Sequence, residues 1–439
     1  MFLRRLCIKN LRGISNLDLS FESGGTTKLD ALSGSDRQIE GDTRKWTLLL
    51  GENGCGKTTV LRAVALVLSG SSALGELLQE PDTWVREGSR ECEITVEFST
   101  KKGERRQASL MFSRGQKLKE IFSRNGKSMD DFDAAIEHTP RNYMVCGYGA
   151  SRRLAAGPSH LSRSSPFTNF RAQAVGTLFS NDAELNPLQD WATDLHYRME
   201  NSGLTIVEEV FQDLLPGLTF KGIDRRNREL IFDTPEGDVP LSRLSDGYQN
   251  MAGWCGDLLF RITRTFENYK KPLEARGLLL IDEIDLHLHP IWQRKLREFL
   301  DSKLPNFQIL ATTHSPLTAQ QCGDGELYFL RRPDPKAAPR LEPFLGSPRT
   351  LLLHQLLLSP QFGLETVDSH SVEELKNEYR ELKEVKSPTK PQTERLSAIA
   401  SQLKTLPDWF APAAPSSRRF PISRKGTSKR PTKHANRKK

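Results

Sequence analysis

A glycine-rich octapeptide between two apolar runs restricts the fold of this 439-residue chain more than any other feature. Residues 46–50 have the composition of a buried strand, and residues 59–68 have that of a helix. Between them, glycines allow backbone N–H groups to curl around phosphate oxygens, and a lysine and a threonine end the octapeptide at the spacing of a phosphate loop. The sequence therefore predicts a strand, a loop and a helix that bind a nucleotide through Gly51, Glu52, Asn53, Gly54, Cys55, Gly56, Lys57, Thr58 and Thr59.

The last two residues of the octapeptide have separate chemical roles in such a loop. Lys57 is expected to contact the β- and γ-phosphate oxygens, and the hydroxyl of Thr58 is expected to hold Mg²⁺. A chance glycine turn is the alternative, but the flanking strand and helix argue against it. The predicted cofactors are therefore ATP and Mg²⁺.

Two acidic residues end a second apolar run at 278–281. A buried parallel strand delivers its last residues to the C-terminal edge of the sheet, where ligands bind. Asp282 is therefore expected to hold Mg²⁺ through water, and Glu283 to polarise the attacking water as the catalytic residue. Taken alone, the pair fits a solvated strand end equally well, but the phosphate loop favours the catalytic interpretation.

A third predicted strand, residues 307–311, is followed by Thr-Thr-His-Ser-Pro at 312–316. This places the imidazole of His314 at the same sheet edge, where it is expected to sense the γ-phosphate. A lone histidine is more often structural, but its position at a strand end like that of Asp282 favours function.

The hexapeptide Leu-Ser-Asp-Gly-Tyr-Gln at 244–249 resembles the signature of ABC-type ATPases. The resemblance implies that Ser245, Asp246 and Gly247, with the N-terminus of the helix that follows, cap the γ-phosphate held by a second subunit. ATP would then join two heads in a head-to-tail homodimer or a higher even-numbered oligomer. An ordinary helix N-cap is the alternative interpretation of the serine.

The remaining patterns predict an α/β fold, an ABC-type ATPase head with a mixed β-sheet core. An antiparallel β lobe is expected from the alternation at 92–98 and 108–113, and a helical signature lobe from 187–199 and 205–215. A hairpin of strands at 218–222 and 229–233 leads into the signature, a last strand is expected at 326–331, and a C-terminal helical hairpin surrounds Ser387-Pro388. The predicted divisions are an N-terminal ATPase lobe (1–175), a lobe with signature, acidic pair and switch histidine (176–340), a helical region (341–410) and a disordered basic tail (411–439).

Two further segments leave their roles open. Arg152 and Arg153 follow a strand-like run where ABC relatives carry a coupling loop, but the usual glutamine is missing, so the arginines are either phosphate contacts or surface residues. His287 and His289 alternate at a spacing that suits a metal, but the same run belongs to the ATPase motif, which argues against metal binding.

Charge and composition favour a cytoplasmic protein with no membrane segment. Residues 418–439 carry ten basic and no acidic residues, so the net charge of +8 leaves +8 − 10 = −2 on the other 417 residues. The tail is either an arm for nucleic acid or a solubilising extension. The six scattered cysteines suggest neither disulfides nor a zinc site.

Over residues 1–406, these motifs together resemble the ABC ATPases of the AAA-15/AAA-21 type found in OLD-family and prokaryotic defence proteins, and most of all the PtuA-type ATPases of Septu antiphage systems. The marks are the signature, the run 281–290, the run 312–316 and the segment 356–364. The resemblance implies a separate HNH nuclease subunit of the PtuB type, controlled by the nucleotide state of the heads. After Phe362 the chain is expected to lack room for the TOPRIM nuclease of OLD enzymes.

Two other functions compete with this interpretation. A RecF-like DNA-repair ATPase that clamps DNA directly would suit a two-lobed head with a basic tail. An ABC ATPase that drives a transporter is disfavoured by the large inserted lobe.

Overall fold

The computed structural model describes residues 2–22, 43–100, 103–137, 143–154, 166–186, 218–224, 229–235, 237–266, 271–334 and 336–406, without the side chains of 135–137, 153 and 154. The chain divides into two compact units, residues 1–364 and residues 365–439. The helices predicted at 187–199 and 205–215 and the tail at 411–439 lie outside the described residues. The domain boundaries predicted at 175, 340 and 410 stay predictions.

A six-stranded mixed sheet forms the centre of the first unit. It contains β3 (Trp46–Leu50), β6 (Val145–Tyr148), β12 (Gly277–Ile281), β13 (Phe307–Thr313), β14 (Leu327–Arg331) and β15 (Arg340–Pro343), in the order β15-β14-β3-β13-β12-β6. All neighbours are parallel except β15, which runs antiparallel to β14. The three predicted strands β3, β12 and β13 are therefore adjacent, and their C-terminal ends meet at one edge.

The three central strands are buried on both faces, as their nearly continuous apolar sequences predict for parallel strands. Helix α1 (Lys57–Leu68) leaves the phosphate loop and packs on one face of the sheet. All of its residues except Thr58 and Arg62 are buried, so only the narrow face that these two residues share is partly exposed.

The antiparallel lobe predicted from alternation covers the other side of α1. It is a four-stranded sheet of β1 (Phe2–Leu11), β2 (Ile14–Ser20), β4 (Glu91–Ser99) and β5 (Arg105–Ser113), in the order β2-β1-β4-β5. Helices α2 (Ser71–Leu78), α3 (Leu118–Glu137) and α4 (Phe170–Val175) complete this layer, and one apolar core joins it to the central sheet. Short strands β7 (Arg153–Leu154) and β8 (Glu184–Leu185) pair in parallel.

A second apolar core lies on the opposite face of the central sheet. It contains residues of β9 (Thr219–Asp224), β10 (Glu229–Thr234), α5 (Asp246–Thr265) and α6 (Pro290–Lys303), with β11 (Gly237–Pro240) pairing beside β10. The predicted hairpin before the signature is thus part of a three-stranded antiparallel sheet, and the expectation that strand 326–331 is the last strand is wrong because β15 follows it. Helices α7 (Pro316–Ala319) and α8 (Leu353–Leu357) follow, and short 3-10 turns lie at Pro81–Thr83, Gly176–Leu178, Leu241–Arg243, Pro272–Glu274 and Pro348–Thr350.

The described part of the second unit is a helical hairpin of α9 (His370–Glu384) and α10 (Lys390–Lys404), as the sequence predicts. The turn contains Ser387-Pro388, and Thr389 with Gln392 forms a capping box that begins α10. Arg395 holds Glu378 of the facing helix through two hydrogen bonds of 2.7 Å, while Ile399 is fully buried. The predicted fold class, an ATPase head with a mixed sheet, an antiparallel lobe and a helical hairpin, is confirmed.

Candidate active site

The phosphate loop connects β3 to α1 at the C-terminal edge of the central sheet, as the sequence predicts. A Cβ at Gly51 would lie 2.2 Å from the carbonyl oxygen of Leu330, so no other residue fits where the loop leaves β3. Gly56 has a φ of 100°, a backbone conformation that favours glycine. Glu52, Asn53 and Gly54 are exposed, whereas the side chain of Cys55 is buried in the core, which leaves only its backbone to face a phosphate.

Lys57 is buried at the first position of α1, and its ammonium group is held by backbone carbonyls. Its Nζ donates to the carbonyl oxygens of Gly51 at 2.7 Å and Glu52 at 3.0 Å. Burial lowers the pKa of Lys57, while the carboxylates of Asp282 and Glu283 oppose that shift. A bound polyphosphate would place negative charge beside this ammonium group and would favour its charged form.

Thr58 and Asp282 meet although they are far apart in sequence, because β3 and β12 end at the same edge. The hydroxyl of Thr58 donates to Asp282 Oδ2 at 2.6 Å, and Thr312 Oγ1 donates to Asp282 Oδ1 at 2.6 Å. Asp282 is 5% exposed, so both of its oxygens are held in place. A hydroxyl and a carboxylate facing one another form an oxygen donor set that fits Mg²⁺.

Glu283 follows Asp282 in a backbone conformation that is rare for a residue with a side chain. Its φ is 47°, and its N–H donates to Thr312 Oγ1 at 2.8 Å. Its carbonyl oxygen accepts from Leu286 N at 3.0 Å and from Arg152 Nη2 at 2.6 Å. This turn leaves Glu283 partly exposed beside a buried Asp282, as a residue that must reach substrate water requires.

Thr312 therefore binds both acidic residues through one hydroxyl group. It donates to Asp282 and accepts from the backbone of Glu283, and it is fully buried at the end of β13. This role was not predicted from the sequence. The polar Thr-Thr pair that ends the mostly apolar strand β13 was the available signal.

His314 comes two residues later and is exposed at the same edge. The neighbouring Ser315 begins α7, and its Oγ accepts from Leu317 N at 3.2 Å and Thr318 N at 3.4 Å. It also donates to Gln293 Oε1 at 2.6 Å. The histidine is thus held on a capped helix start with its ring open to solvent, and its role as γ-phosphate sensor stays a prediction.

The signature segment begins α5 near the same edge but is bonded differently. Ser245 is the N-cap residue, it is exposed, and its side chain makes no capping hydrogen bond. Asp246 is also exposed, and a Cβ at Gly247 would lie 2.9 Å from the carbonyl oxygen of His287. The signature therefore touches the segment that follows Glu283, and the hydroxyl of Ser245 does not serve as an ordinary cap.

Arg152, in the loop after β6, reaches the turn that contains Glu283. It is 6% exposed, so its interpretation as a surface residue is wrong, and it contacts the backbone of Glu283 as described above. The side chain of Arg153 lies outside the described residues.

The segment after Glu283 contains the remaining candidates. Asp285 is 8% exposed and accepts a hydrogen bond of 2.6 Å from Thr313 Oγ1, while burial raises its pKa. His289 is the N-cap of α6, where its Nδ1 accepts from Ile291 N at 3.4 Å. Among the described residues no group of three or more His, Cys, Asp or Glu side chains is arranged to hold a metal ion.

A fully buried carboxylate connects the signature helix to the end of β6. This residue was not predicted from the sequence. Asp257 of α5 accepts hydrogen bonds from Tyr148 Oη at 2.8 Å and Arg261 Nε at 2.6 Å. Its other oxygen accepts from the backbone and side-chain nitrogens of Asn186 at 2.9 and 2.6 Å. With four donors, this carboxylate satisfies the usual requirement for a buried charge and fixes α5 to the end of β6.

Comparison with known proteins agrees with this arrangement. Residues 5–144 match the family model described as "AAA domain", and residues 156–319 match the one described as "AAA domain, putative AbiEii toxin, Type IV TA system". Over the described residues, no helix is long and apolar enough to cross a membrane.

Several curated proteins are similar in sequence. The Septu protein PtuA of Bacillus mycoides (strain KBAB4) is 27% identical over 408 residues, which is 92% of this chain and 50% of that protein. The Septu protein PtuA of Bacillus thuringiensis is 25% identical over 75% of this chain and 76% of its own. The Retron Ec83 probable ATPase of Escherichia coli is 31% identical over 33% of this chain and 27% of its own. The chain thus spans about half the length of the Bacillus mycoides relative.

Among solved structures, the Smc head bound to the C-winged helix domain of ScpA aligns with 79% of this chain and 98% of its own, at 15% identity and a TM-score of 0.46. The sequence matches confirm the predicted resemblance. AAA-domain models match two long segments of the chain, and the chain is similar to the Septu protein PtuA over most of its length.

Proposed function

We propose that this chain is the ATP-binding and ATP-hydrolysing subunit of a prokaryotic antiphage defence complex, in which nucleotide-dependent dimerisation of heads controls a partner HNH nuclease. The observation that supports the enzymatic part is the network at the sheet edge. Thr58, Asp282 and Thr312 are joined by two hydrogen bonds of 2.6 Å, and the catalytic candidate Glu283 is attached to the same threonine.

The nucleotide phosphates are bound by the loop 51–58 and by Lys57. The backbone N–H groups at the start of α1 and the positive end of that helix attract the anionic phosphates. Thr58 and, through water, Asp282 would hold Mg²⁺, which would supply positive charge to neutralise the phosphate oxygens.

Hydrolysis follows from the position of Glu283 at the rim of this site. Its carboxylate accepts a hydrogen bond from a water molecule and orients the water oxygen for in-line attack on the γ-phosphorus. A bond forms between that oxygen and the phosphorus, the bond to the β–γ bridging oxygen breaks, and ADP leaves. One hydrogen of the water stays on the attacking oxygen, and the other is transferred to another oxygen of the released phosphate. Lys57 stabilises the charge that develops on the transferred group.

The free signature supports a site completed by a second copy. Ser245 has no capping role within its own helix, and the N-terminus of the 20-residue helix α5 is exposed beside it. A helix N-terminus with an unengaged hydroxyl group is suited to the γ-phosphate of a nucleotide held on another head. The two heads would then form a homodimer, or an assembly with an even number of heads, held together by ATP.

The partner and the biological role rest on the similarity to Septu PtuA proteins. The resemblance implies a separate HNH nuclease of the PtuB type, and in such a complex the heads would restrain or release the nuclease according to nucleotide state.

The test is affinity purification of the tagged Glu283→Gln chain from its native host in the presence of ATP, followed by mass spectrometry and native mass measurement. Glutamine keeps the size of the side chain but does not orient the water as a carboxylate does, so the ATP-bound dimer should accumulate. Glu298→Gln is the matched control, since it makes the same change at an exposed position on α6.

Recovery of an HNH nuclease on an even-numbered assembly supports the proposal. Nucleic acid alone, with no nuclease, would favour the RecF-like alternative. A Glu283→Gln protein that stays monomeric and hydrolyses ATP at the normal rate contradicts the enzymatic part itself.

A further inference from the structure

The loop between β6 and β7 places one arginine behind the catalytic edge. Tyr148 ends β6, and Arg152 follows four residues later with its guanidinium group directed at the turn that contains Glu283. Arg152 Nη2 donates to the carbonyl oxygen of Glu283 at 2.6 Å. This contact fixes the main chain of Glu283 and leaves the carboxylate free to act.

Arg152 is buried to an extent that is unusual for an arginine bonded to a backbone carbonyl. It is 6% exposed, and its Nε and Nη1 groups are buried without a hydrogen-bond partner among the described residues. The carboxylates of Asp282, Glu283 and Asp285 lie within electrostatic reach. Burying an arginine with two unsatisfied donors costs free energy that a small apolar residue at this position would not cost.

The same arginine also contacts the signature helix. Its guanidinium carbon lies 5.9 Å from the ring centroid of Trp254, and that ring lies 5.7 Å from the ring of Tyr148. Tyr148 in turn donates to the buried carboxylate of Asp257, and this bond joins α5 to the end of β6. Arg152 therefore lies between the helix that carries the signature and the turn that carries the catalytic residue.

The loop on which Arg152 lies is fixed at its other end as well. Gly149 N donates to Thr177 Oγ1 at 3.1 Å, and Thr177 Oγ1 donates to the carbonyl oxygen of Gly147 at 3.1 Å. A Cβ at Gly149 would lie 2.1 Å from the carbonyl oxygen of Thr177, so the backbones are in direct contact. The start of the loop is therefore fixed to the turn that contains Thr177.

We infer that Arg152 is a positioning residue that holds the main chain of Glu283 in its left-handed conformation and links that conformation to the position of the signature helix. The inference rests on the proposed function, since it assumes that Glu283 orients the water. Glu283 has a φ of 47°, and the carbonyl contact with Arg152 opposes relaxation of this turn. Arg152 thus lies in the loop after β6, where the resemblance to ABC ATPases would place a glutamine.

The test compares the steady-state ATPase of full-length Arg152→Ala, Arg152→Gln and Arg152→Lys variants with the wild type. Arg152→Ala should lower kcat by about 10- to 100-fold, because a small displacement of a catalytic group has effects of that size, and KM for ATP should stay within about twofold. Arg152→Lys and Arg152→Gln retain a donor and should recover part of the loss. Low-millimolar guanidinium should partly restore Arg152→Ala.

A double substitution separates positioning from general stability. In the Glu283→Gln background, Arg152→Ala should lower the residual rate by less than about twofold, because the group that it positions is already disabled. Asn169→Ala, which removes the cap of α4 from Arg171 N and Ala172 N, is the control for a purely structural loss and should leave kcat unchanged.

The failure of this inference differs from the failure of the proposed function. If Glu283→Gln is inactive but Arg152→Ala turns over like the wild type, the positioning role is wrong and the catalytic assignment stands. A rise in KM with kcat unchanged in Arg152→Ala would likewise overturn the inference. Normal turnover by Glu283→Gln would overturn the proposed function. If Arg152→Ala does not fold, the lysine and glutamine variants are compared with the wild type instead. A lowered kcat at unchanged KM in these variants supports the inference, and a wild-type kcat in both overturns it.

Discussion

Ser315 and Ser245 are both N-cap residues in the first unit, and they differ in what their hydroxyl groups bind. Ser315 lies at the catalytic edge and accepts from the backbone nitrogens of Leu317 and Thr318, so it satisfies the helix that it begins. Ser245 begins the longer helix α5 and makes no such bond. A serine at an N-cap normally contributes about 1 kcal/mol through its capping bond, and Ser245 forgoes that contribution.

The phosphate-loop half and the signature half of the site also differ in whether their polar side chains have partners within the chain. At the phosphate-loop edge, Lys57, Thr58 and Asp282 all have partners within the chain, so this half is assembled before any ligand arrives. At the signature, Ser245 and Asp246 are exposed. The first half is therefore organised within the chain, and the proposed function assigns the exposed second half to a nucleotide held on another head.

The largest effect is expected from Lys57→Met, which disables the assembled half. The substitution removes the only ammonium group that the phosphate loop itself provides, and turnover should fall by at least about 100-fold. ATP binding should weaken in parallel, and isothermal titration with a non-hydrolysable analogue measures it. Retention of tight binding by Lys57→Met would show that the phosphates lie elsewhere.

The next prediction addresses the signature half and whether it acts in trans. Ser245→Arg places a bulky cation at an exposed helix start, so the fold should be preserved, ATP binding should persist and turnover should fall by about 100-fold. A mixture of Ser245→Arg and Lys57→Met chains should regain activity, because a heterodimer contains one site with a native loop and a native signature.

The ATPase activity of the mixture shows whether the phosphate loop and the signature act in one chain or across two. Activity that rises with the fraction of mixed dimers supports a composite site. Mixing with no gain, while native mass shows that heterodimers form, would mean that both halves act within one chain. The two variants measured separately at the same total concentration provide the control.

The phosphate loop and the acidic pair could be predicted from the sequence, because each directly follows an apolar strand in the chain. Residues 46–50 were predicted as a strand with the bounds that β3 has, and the acidic pair does follow β12. The bonding of Ser245 could not be read in the same way, because a free serine and a capping serine have the same sequence. The difference appears only in side-chain geometry.

Local motifs do not reveal the roles of Arg152, Thr312 and Asp257. Their roles depend on contacts over 131, 30 and 109 residues, to Glu283, Asp282 and Tyr148 respectively. A strand order of β15-β14-β3-β13-β12-β6 brings such distant residues together, and local patterns do not specify that order. The strand β15 was missed for a related reason, since its four residues are mostly exposed and lack apolar alternation.

A smaller effect is expected from Thr312→Val, which tests whether the assembled half depends on its internal bonds. Valine has nearly the same shape but leaves Asp282 Oδ1 and the N–H of Glu283 without that partner. Turnover should fall by about 10-fold or more. The free energy of unfolding should fall by about 1–3 kcal/mol, as for a buried polar group left unpaired.

Thr313→Val is the matched control, since it removes the hydrogen bonds of Thr313 to Asp285 and from Ser315 N and leaves both groups bonded to Thr312 intact. It should affect turnover less than Thr312→Val does. Equal losses from the two valine variants would show that the strand end matters only for stability. Steady-state kinetics and urea unfolding of both proteins measure the difference.

The smallest effect is the pH dependence introduced by Asp285, a buried carboxylate between the two halves. Burial raises its pKa, so between the ordinary value of about 4 and the raised value the folded state binds more protons than the unfolded state. Its contribution to stability is therefore present at low pH and lost as the pH rises through the folded pKa. Asp285→Asn keeps an acceptor for Thr313 and removes the titration, so its stability relative to the wild type should increase from about pH 4 towards neutral pH and then level off. Urea unfolding of both proteins across that range measures this, and a relative stability that decreases with pH would mean that the ionised form is favoured by its neighbours despite burial.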